Sequence, residues 1–400
     1  MLCIKNGTIV SPEGRKKADL YIEGGKVVSV GGGLPYDESW DAEGCLLFPG
    51  FIDAHTHLEM DTGSTVTADS FASGTAAALA GGTTVILDFA TQDKGHTLAE
   101  ALEAWHSRAD GNCACDYGFH MAVTDWNEAT KAELADMEKA GVTSFKAYMA
   151  YNNLRLSDLE LQELFAATAD IGVCGVHCEL GDEVNRRVAA NLEAGRTGPE
   201  WHPRSRPNEV ESLAVRRCLA LAREAGGAAW VVHLSTAEGL REIEAARRTG
   251  QAVLVETCPQ YLTLTDEVYE KPGFEGAKFV CSPPIRKEAD KQALWQGIGA
   301  GEVDIISTDH CSFTFEQKEL GRDNFSKIPN GLPGIEHRPM LLWTEGVNTG
   351  KLSAEEFCRL LSTEPAKAFG MYPRKGELKP GADADIVVWD PEATMRLTAT

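Results

Sequence analysis

The chain has 400 residues, 43% apolar and 24% charged, with a net charge of -22, the make-up of a large globular protein with more than one structural unit. So acidic a surface argues against a nucleic-acid partner, which needs a basic face, and no apolar run reaches the ~20 residues of a membrane helix. Eleven cysteines show no disulfide-framework spacing, several lie inside apolar runs (Cys174, Cys178, Cys218, Cys281), and the start MLCIKNGTIV carries no export signal, so a reducing cytoplasm is expected.

In chain order, residues 1–50 read as short antiparallel strands in CIKNGTIV, ADLYIEGGKVVSVG and SWDAEGCLLFPG, marked by apolar alternation and glycine turns. From residue 51 the texture changes to alternating strand and helix. Eight strands can be parsed: FIDAHTHLE, TTVILDFAT, CDYGFHMAVT, SFKAYMAY, VCGVHCE, AAWVVHLS, AVLVETC and VDIISTDH. The helices between them are amphipathic, as in NEATKAELADMEKAG and TAEGLREIEAARRTG, and several end in glycine. STEPAKAFG reads as a late helix starting near a Ser/Thr cap, with Pro365 early in it. The end, KGELKPGADADIVVWDPEATMRLTAT, returns to the strand texture of the start. The expectation is an α/β protein: a (β/α)8 TIM barrel over 51–370, and a small β-sandwich from 1–50 and 371–400. A doubly wound sheet is disfavoured, because no dinucleotide glycine fingerprint follows the first barrel strand. The CAC of Cys113–Cys115 is too tightly spaced for a zinc pair and no second pair follows.

Polar residues recur at the C-terminal ends of these strands: His55 and His57, Lys146, His177, His233 and Asp309. That end of a barrel is its active-site rim. His55 and His57, two residues apart on a strand, share one face. Imidazoles and a carboxylate converging there are a ligand set for zinc or a similar divalent metal. A single histidine would more simply be a satisfied core residue. His120, inside a strand, is given that reading, and His310 should point away from Asp309. His96, His106, His202 and His337 fall outside the pattern.

Lys146 is out of place in the apolar SFKAYMAY. Burial penalises its charged form. A neutral amine can add carbon dioxide and become an anionic carbamate able to bridge two metals. Alternatively the side chain snorkels to the rim as an ordinary cation, and the residues leave both open.

With these motifs, PGFIDAHTHLEM, GGTTVILDF, SFKAYMAY, VHCE, ETCPQYL, SPPIR, STDH and IPNGLPGIE, the whole chain resembles the hydantoinase/dihydropyrimidinase family of the metal-dependent amidohydrolase superfamily. The resemblance implies a binuclear zinc centre. His55, His57, Lys146 and Asp309 would hold the more buried metal. Lys146, as N6-carboxylysine, would share the more exposed metal with His177 and His233, with water or hydroxide between the ions. It implies hydrolysis of the ring C–N bond of a hydantoin or dihydropyrimidine, with Asp309 carrying the proton and Tyr151 bonding the carbonyl oxygen. Ser282 and Asn330 would contact the ring amide, and the assembly would be a homotetramer.

Where family members often place an apolar pocket residue after the HxH pair, this chain has Asp61 and Thr62; Tyr148 fills a position commonly aromatic. Substituent preference is therefore open. Leu58–Glu59 stands where dihydroorotase-like enzymes carry an arginine, which disfavours a carboxylate-bearing substrate. Allantoinase-like hydrolysis of a cyclic ureide remains an alternative. So does a non-enzymatic interaction protein on the same fold, like the collapsin-response proteins, although those have lost ligands that are all present here. Family chains usually run beyond this C-terminus, so truncation at Thr400 is an expectation.

Overall fold

The computed structural model describes residues 1–398; the last two residues of the expected C-terminal segment, 399 and 400, lie outside the described residues. Seven strands precede the barrel: β1 (Leu2–Lys5), β2 (Thr8–Ser11), β3 (Gly14–Lys17), β4 (Leu20–Glu23), β5 (Lys26–Val30), β6 (Glu38–Asp41) and β7 (Leu46–Pro49). The barrel strands are β8 (Phe51–Thr56), β9 (Thr83–Thr91), β10 (Asp116–Ala122), β11 (Ser144–Tyr148), β12 (Val173–His177), β13 (Ala228–Val231), β14 (Val253–Thr257) and β15 (Ile305–Ile306), and β16 (Ile386–Trp389) returns to the first unit.

The small unit is two four-stranded sheets, ordered β5-β4-β1-β6 and β16-β7-β2-β3. Ile4, Ile9, Leu20, Val27, Leu47 and Leu378 pack into one cluster there. The expectation of purely antiparallel strands is corrected. β1 pairs β6 in parallel and β2 pairs β7 in parallel. The hairpins are antiparallel as glycine turns dictate, but these two pairings join strands distant in sequence, where local turn chemistry has no say.

The eight barrel strands are parallel and neighbour one another in chain order. Period-two alternation sorts their side chains. Phe145, Ala147, Ala229 and Val231 join the large cluster under the helices, whereas Leu87, Phe89, Tyr148, Trp230 and Val232 form a second cluster with Phe369. Gly175 makes room for Trp230, since a Cβ there would sit 2.6 Å from the indole.

β8 and β15 close the barrel without a regular ladder. The His57 amide donates to His310 O at 2.8 Å. Below it, Thr308 donates from its amide and its hydroxyl to the two oxygens of Asp53, at 3.0 and 2.7 Å. The fully buried Arg338 donates to Ile52 O (2.8 Å) and Ile306 O (3.0 Å), one carbonyl on each strand. This polar seam fixes the strand carrying His55 against the strand leading to Asp309.

The sheet containing β7 and β16 meets the barrel through Phe48, Phe51, Trp343, Phe357 and Trp389, with ring centroids 5.3–6.2 Å apart in edge-on or tilted pairs. Such pairs contribute about 0.5–1.5 kcal/mol each beyond their area. The late helix is also corrected. It does not start at a cap near Ser362; a continuous run begins at Ala354, capped by the Ser353 hydroxyl. Residues 359–363 form a wide π-type turn that admits Pro365 without a break, and Ser362 instead donates to Pro49 O and Gly50 O.

Candidate metal centre

Three rim residues form one tight group. His55 and His57 each place Nε2 3.2 Å from the same Asp309 oxygen, Oδ1. One ligand atom from each of the three lies within 4.8 Å of the others. His55 Nδ1 donates to Glu256 Oε1 at 2.7 Å. That bond fixes the tautomer, leaving Nε2 as the bare acceptor, buried and without a hydrogen bond. An imidazole lone pair facing a carboxylate oxygen is repulsive unless a cation lies between them. The donor set therefore fits a divalent metal.

The second pair stands beside it. The rings of His177 and His233 are 4.7 Å apart, with His177 Nδ1 3.0 Å from His233 Nε2, and His233 is 5.5 Å from His55. Burial draws His57, His177 and His233 below the usual imidazole pKa, keeping them in the neutral, ligating form.

Lys146 lies on β11, 1% exposed, its Nζ 4.6 Å from the Phe89 ring centre and 5.4 Å from that of Tyr148. Phe89 in turn packs 4.6 Å from His55. No carboxylate pairs with Lys146 among the described residues. Burial pulls its pKa down to about 8, against the pull of Asp309 and Glu256.

The backbone departs from strand geometry at these positions. Of the five non-glycine residues with positive φ among the described residues, three are Tyr151 (+66°), His233 (+40°) and Asp309 (+53°), and a fourth, Glu59, follows His57 by two residues. Such conformations cost of order 1–3 kcal/mol each and gather at functional sites. The turn at Tyr151, whose carbonyl accepts from the Leu154 and Arg155 amides, brings its ring 5.1 Å from that of His177. Strand alternation alone would have sent it to the other face. Burial pushes its phenol up to about 12, opposed by the nearby Arg206 guanidinium. Tyr148 packs edge-on against it at 6.3 Å. Ser282 Oγ and Asn330 Oδ1 are buried without hydrogen bonds. Thr62 is not brought into this group: it is exposed and its hydroxyl donates within its own turn to Thr65 O. His120 is a satisfied core histidine, between Ser144 Oγ and Ala54 O, and His310 turns to Asp69.

Two carboxylates were not singled out from the sequence. Glu256 holds His55 and also accepts from the His233 amide at 3.2 Å. Glu179 accepts from His177 Nε2 at 2.8 Å and is paired with Arg206. Burial raises Glu179, but Arg206 and His177 outweigh it and bring it down to about 2. The signal was present in VCGVHCE and AVLVETC: a glutamate closing an apolar strand needs a partner.

The barrel and its cation-ready histidine rim define a metal-binding (β/α)8 protein. The sequence profile of the amidohydrolase family matches residues 46–399. A D-hydantoinase from Ralstonia pickettii is 44% identical over 403 residues, covering 100% of this chain and 88% of the relative. A D-hydantoinase from Rhizobium radiobacter is 44% identical, covering 98% and 87%. The crystal structure of a dihydropyrimidinase from Brevibacillus agri superposes with a TM-score of 0.96 at 44% identity, covering 98% and 86%. The chain belongs to the amidohydrolase family, in its hydantoinase branch.

Proposed function

We propose that this chain hydrolyses the ring amide C–N bond of hydantoins or dihydropyrimidines with the help of divalent metal. The observation that carries the reading is the pair of imidazole Nε2 atoms aimed at one Asp309 oxygen, one of them locked as an acceptor by Glu256. Full-length likeness to D-hydantoinases supports the substrate class.

His55, His57 and Asp309 would hold one metal and His177 and His233 a second, with Lys146 as carbamate serving both; nitrogen and oxygen donors favour zinc. Bound metal would supply a Lewis acid and lower the pKa of water. Asp309 takes a proton from the attacking water as the C–O bond forms, then returns it to the ring nitrogen as the C–N bond breaks. Tyr151 donates to the carbonyl oxygen as charge builds there. Ser282 and Asn330 meet the ring amide, and Tyr148 and Thr62 bear on the substituent.

The reading includes a division at residues 50 and 370 into sandwich, barrel and sandwich, and a homotetramer. No helix of the described residues is long and apolar enough to cross a membrane. The eleven cysteines are all unpaired, which supports a reducing compartment, the cytoplasm.

The deciding experiment combines elemental analysis with a spectrophotometric panel of hydantoin, 5-phenylhydantoin, dihydrouracil, allantoin and dihydroorotate. Up to two divalent ions per chain and turnover of hydantoins or dihydrouracil are expected. Protein prepared without chelator that holds no metal, or that opens none of these rings, ends the reading.

A further inference from the structure

Behind the rim, a short helix (Phe315–Lys318) is capped by Thr314 and contacts three loops. Gln317 Nε2 donates to Thr65 Oγ1 and Val66 O, securing the turn that contains Thr62. Lys318 is 2% exposed. Its Nζ donates to three backbone carbonyls: Val280 at 2.9 Å, Pro329 at 2.6 Å and Gly331 at 2.8 Å. An ammonium has three donors and no acceptor, so its capacity is used up. No carboxylate pairs with it among the described residues. Phe313 lies 5.3 Å away at its ring centre.

The Val280 carbonyl lies two residues before Ser282 on one loop, and those of Pro329 and Gly331 flank Asn330 on the other. The two loops share one further bond, Gly331 N to Val280 O at 3.0 Å. The second loop runs against the strand end that carries Asp309: Cys311 N donates to Leu332 O at 3.0 Å, and a Cβ at Gly331 would lie 2.3 Å from Cys311 O. Burying an ammonium without a counter-ion is costly, and a methionine would fill the space more cheaply. What only the ammonium supplies is a three-way junction between the two loops.

We propose that Lys318 is a positioning residue that sets the spacing of the Ser282 and Asn330 loops, and so the fit of the ring amide between them. The proposal rests on the cyclic-amidase reading for what the loops bind. Lys318 touches neither the histidine cluster nor Asp309, so its loss weakens substrate fit while leaving metal and proton transfer in place.

Lys318→Met removes all three donors at similar volume. It is expected to keep wild-type metal content, to raise KM for the best cyclic amide about tenfold or more, and to change kcat less than about threefold. Hydrogen exchange should speed up in peptides covering Val280–Ser282 and Pro329–Gly331 and stay unchanged in β9 to β13. Lys318→Gln, which keeps an amide donor, should fall between, and it carries the test alone if the methionine variant fails to fold. An unchanged KM, a fall in kcat at constant KM, or loosening spread through the barrel would overturn the proposal. If the wild type opens no cyclic amide, the substrate reading fails by itself. The exchange result then decides the clamp: unaltered protection of the two loops refutes it, and loosening confined to them supports it.

Discussion

A histidine becomes a metal ligand when something fixes which nitrogen is bare. For His55 that group is Glu256, whose Oε1 receives both the His55 Nδ1 proton and the His233 amide. One carboxylate oxygen thus orients a ring on the first barrel strand and a strained backbone at the sixth. Outer partners of this kind typically govern metal affinity by 10- to 100-fold. Glu256→Gln keeps the shape and removes the charge that favours the required tautomer. It is expected to weaken metal binding by about that 10- to 100-fold range in chelator competition. Unchanged affinity would show that packing against Phe89 and Trp230 suffices to hold the His55 ring.

Among the elements, the seam between β8 and β15 sets the site's geometry, because His55 and Asp309 arrive from its two sides. Arg338 bridges the carbonyls of Ile52 and Ile306 and lies 3.7 Å from Asp53, both charges fully buried. Removing one partner of a buried pair typically costs about 3–5 kcal/mol. Arg338→Met should destabilise by about that much in urea unfolding, and adding Asp53→Asn should recover part of it. A cost below about 1 kcal/mol would mean that Thr308 and the His55 amide keep Asp53 satisfied without the guanidinium. The barrel was legible because its strands are separated by amphipathic helices with caps such as Asn127 and Thr236. The convergence of His55, His57 and Asp309 was legible because strand ends share a rim. Mixed pairing in the terminal sheets was not, since it joins strands with no common turn. The helix from Ala354 was misread because Pro365 looks like a first-turn proline when the π-type turn before it is invisible in sequence. Glu256 was passed over because its partners, His55 and the His233 amide, come from other strands; Glu179 has His177 two residues before it, but the Arg206 that completes its pairing is distant in sequence.

At the scale of the whole molecule, buried neutral histidines set the acid limit. Two lie outside the metal cluster: His120, between Ser144 and Ala54, and His202, whose Nε2 donates to Cys281 O at 2.7 Å. Burial lowers each from 6.5 to about 3. Below pH 6.5 the unfolded chain takes up these protons and the folded one does not. Stability is therefore fully present above that pH and is lost as pH falls toward 3, by about 1.4 kcal/mol per pH unit for each histidine. Glu179, lowered from 4.5 to about 2, acts in the same direction, but only below pH 4.5. Asp88 and Glu211, raised by burial, act in the opposite direction. Comparing wild type with His120→Gln at equal metal loading cancels every group but one. Between pH 6.5 and 4.5 the slope of unfolding free energy against pH should drop by about 1.4 kcal/mol per unit in the variant. Parallel slopes would mean that His120 accepts its proton inside the folded barrel, which the Ala54 carbonyl at 3.0 Å would then have to stabilise against the neighbouring imidazoles of the rim.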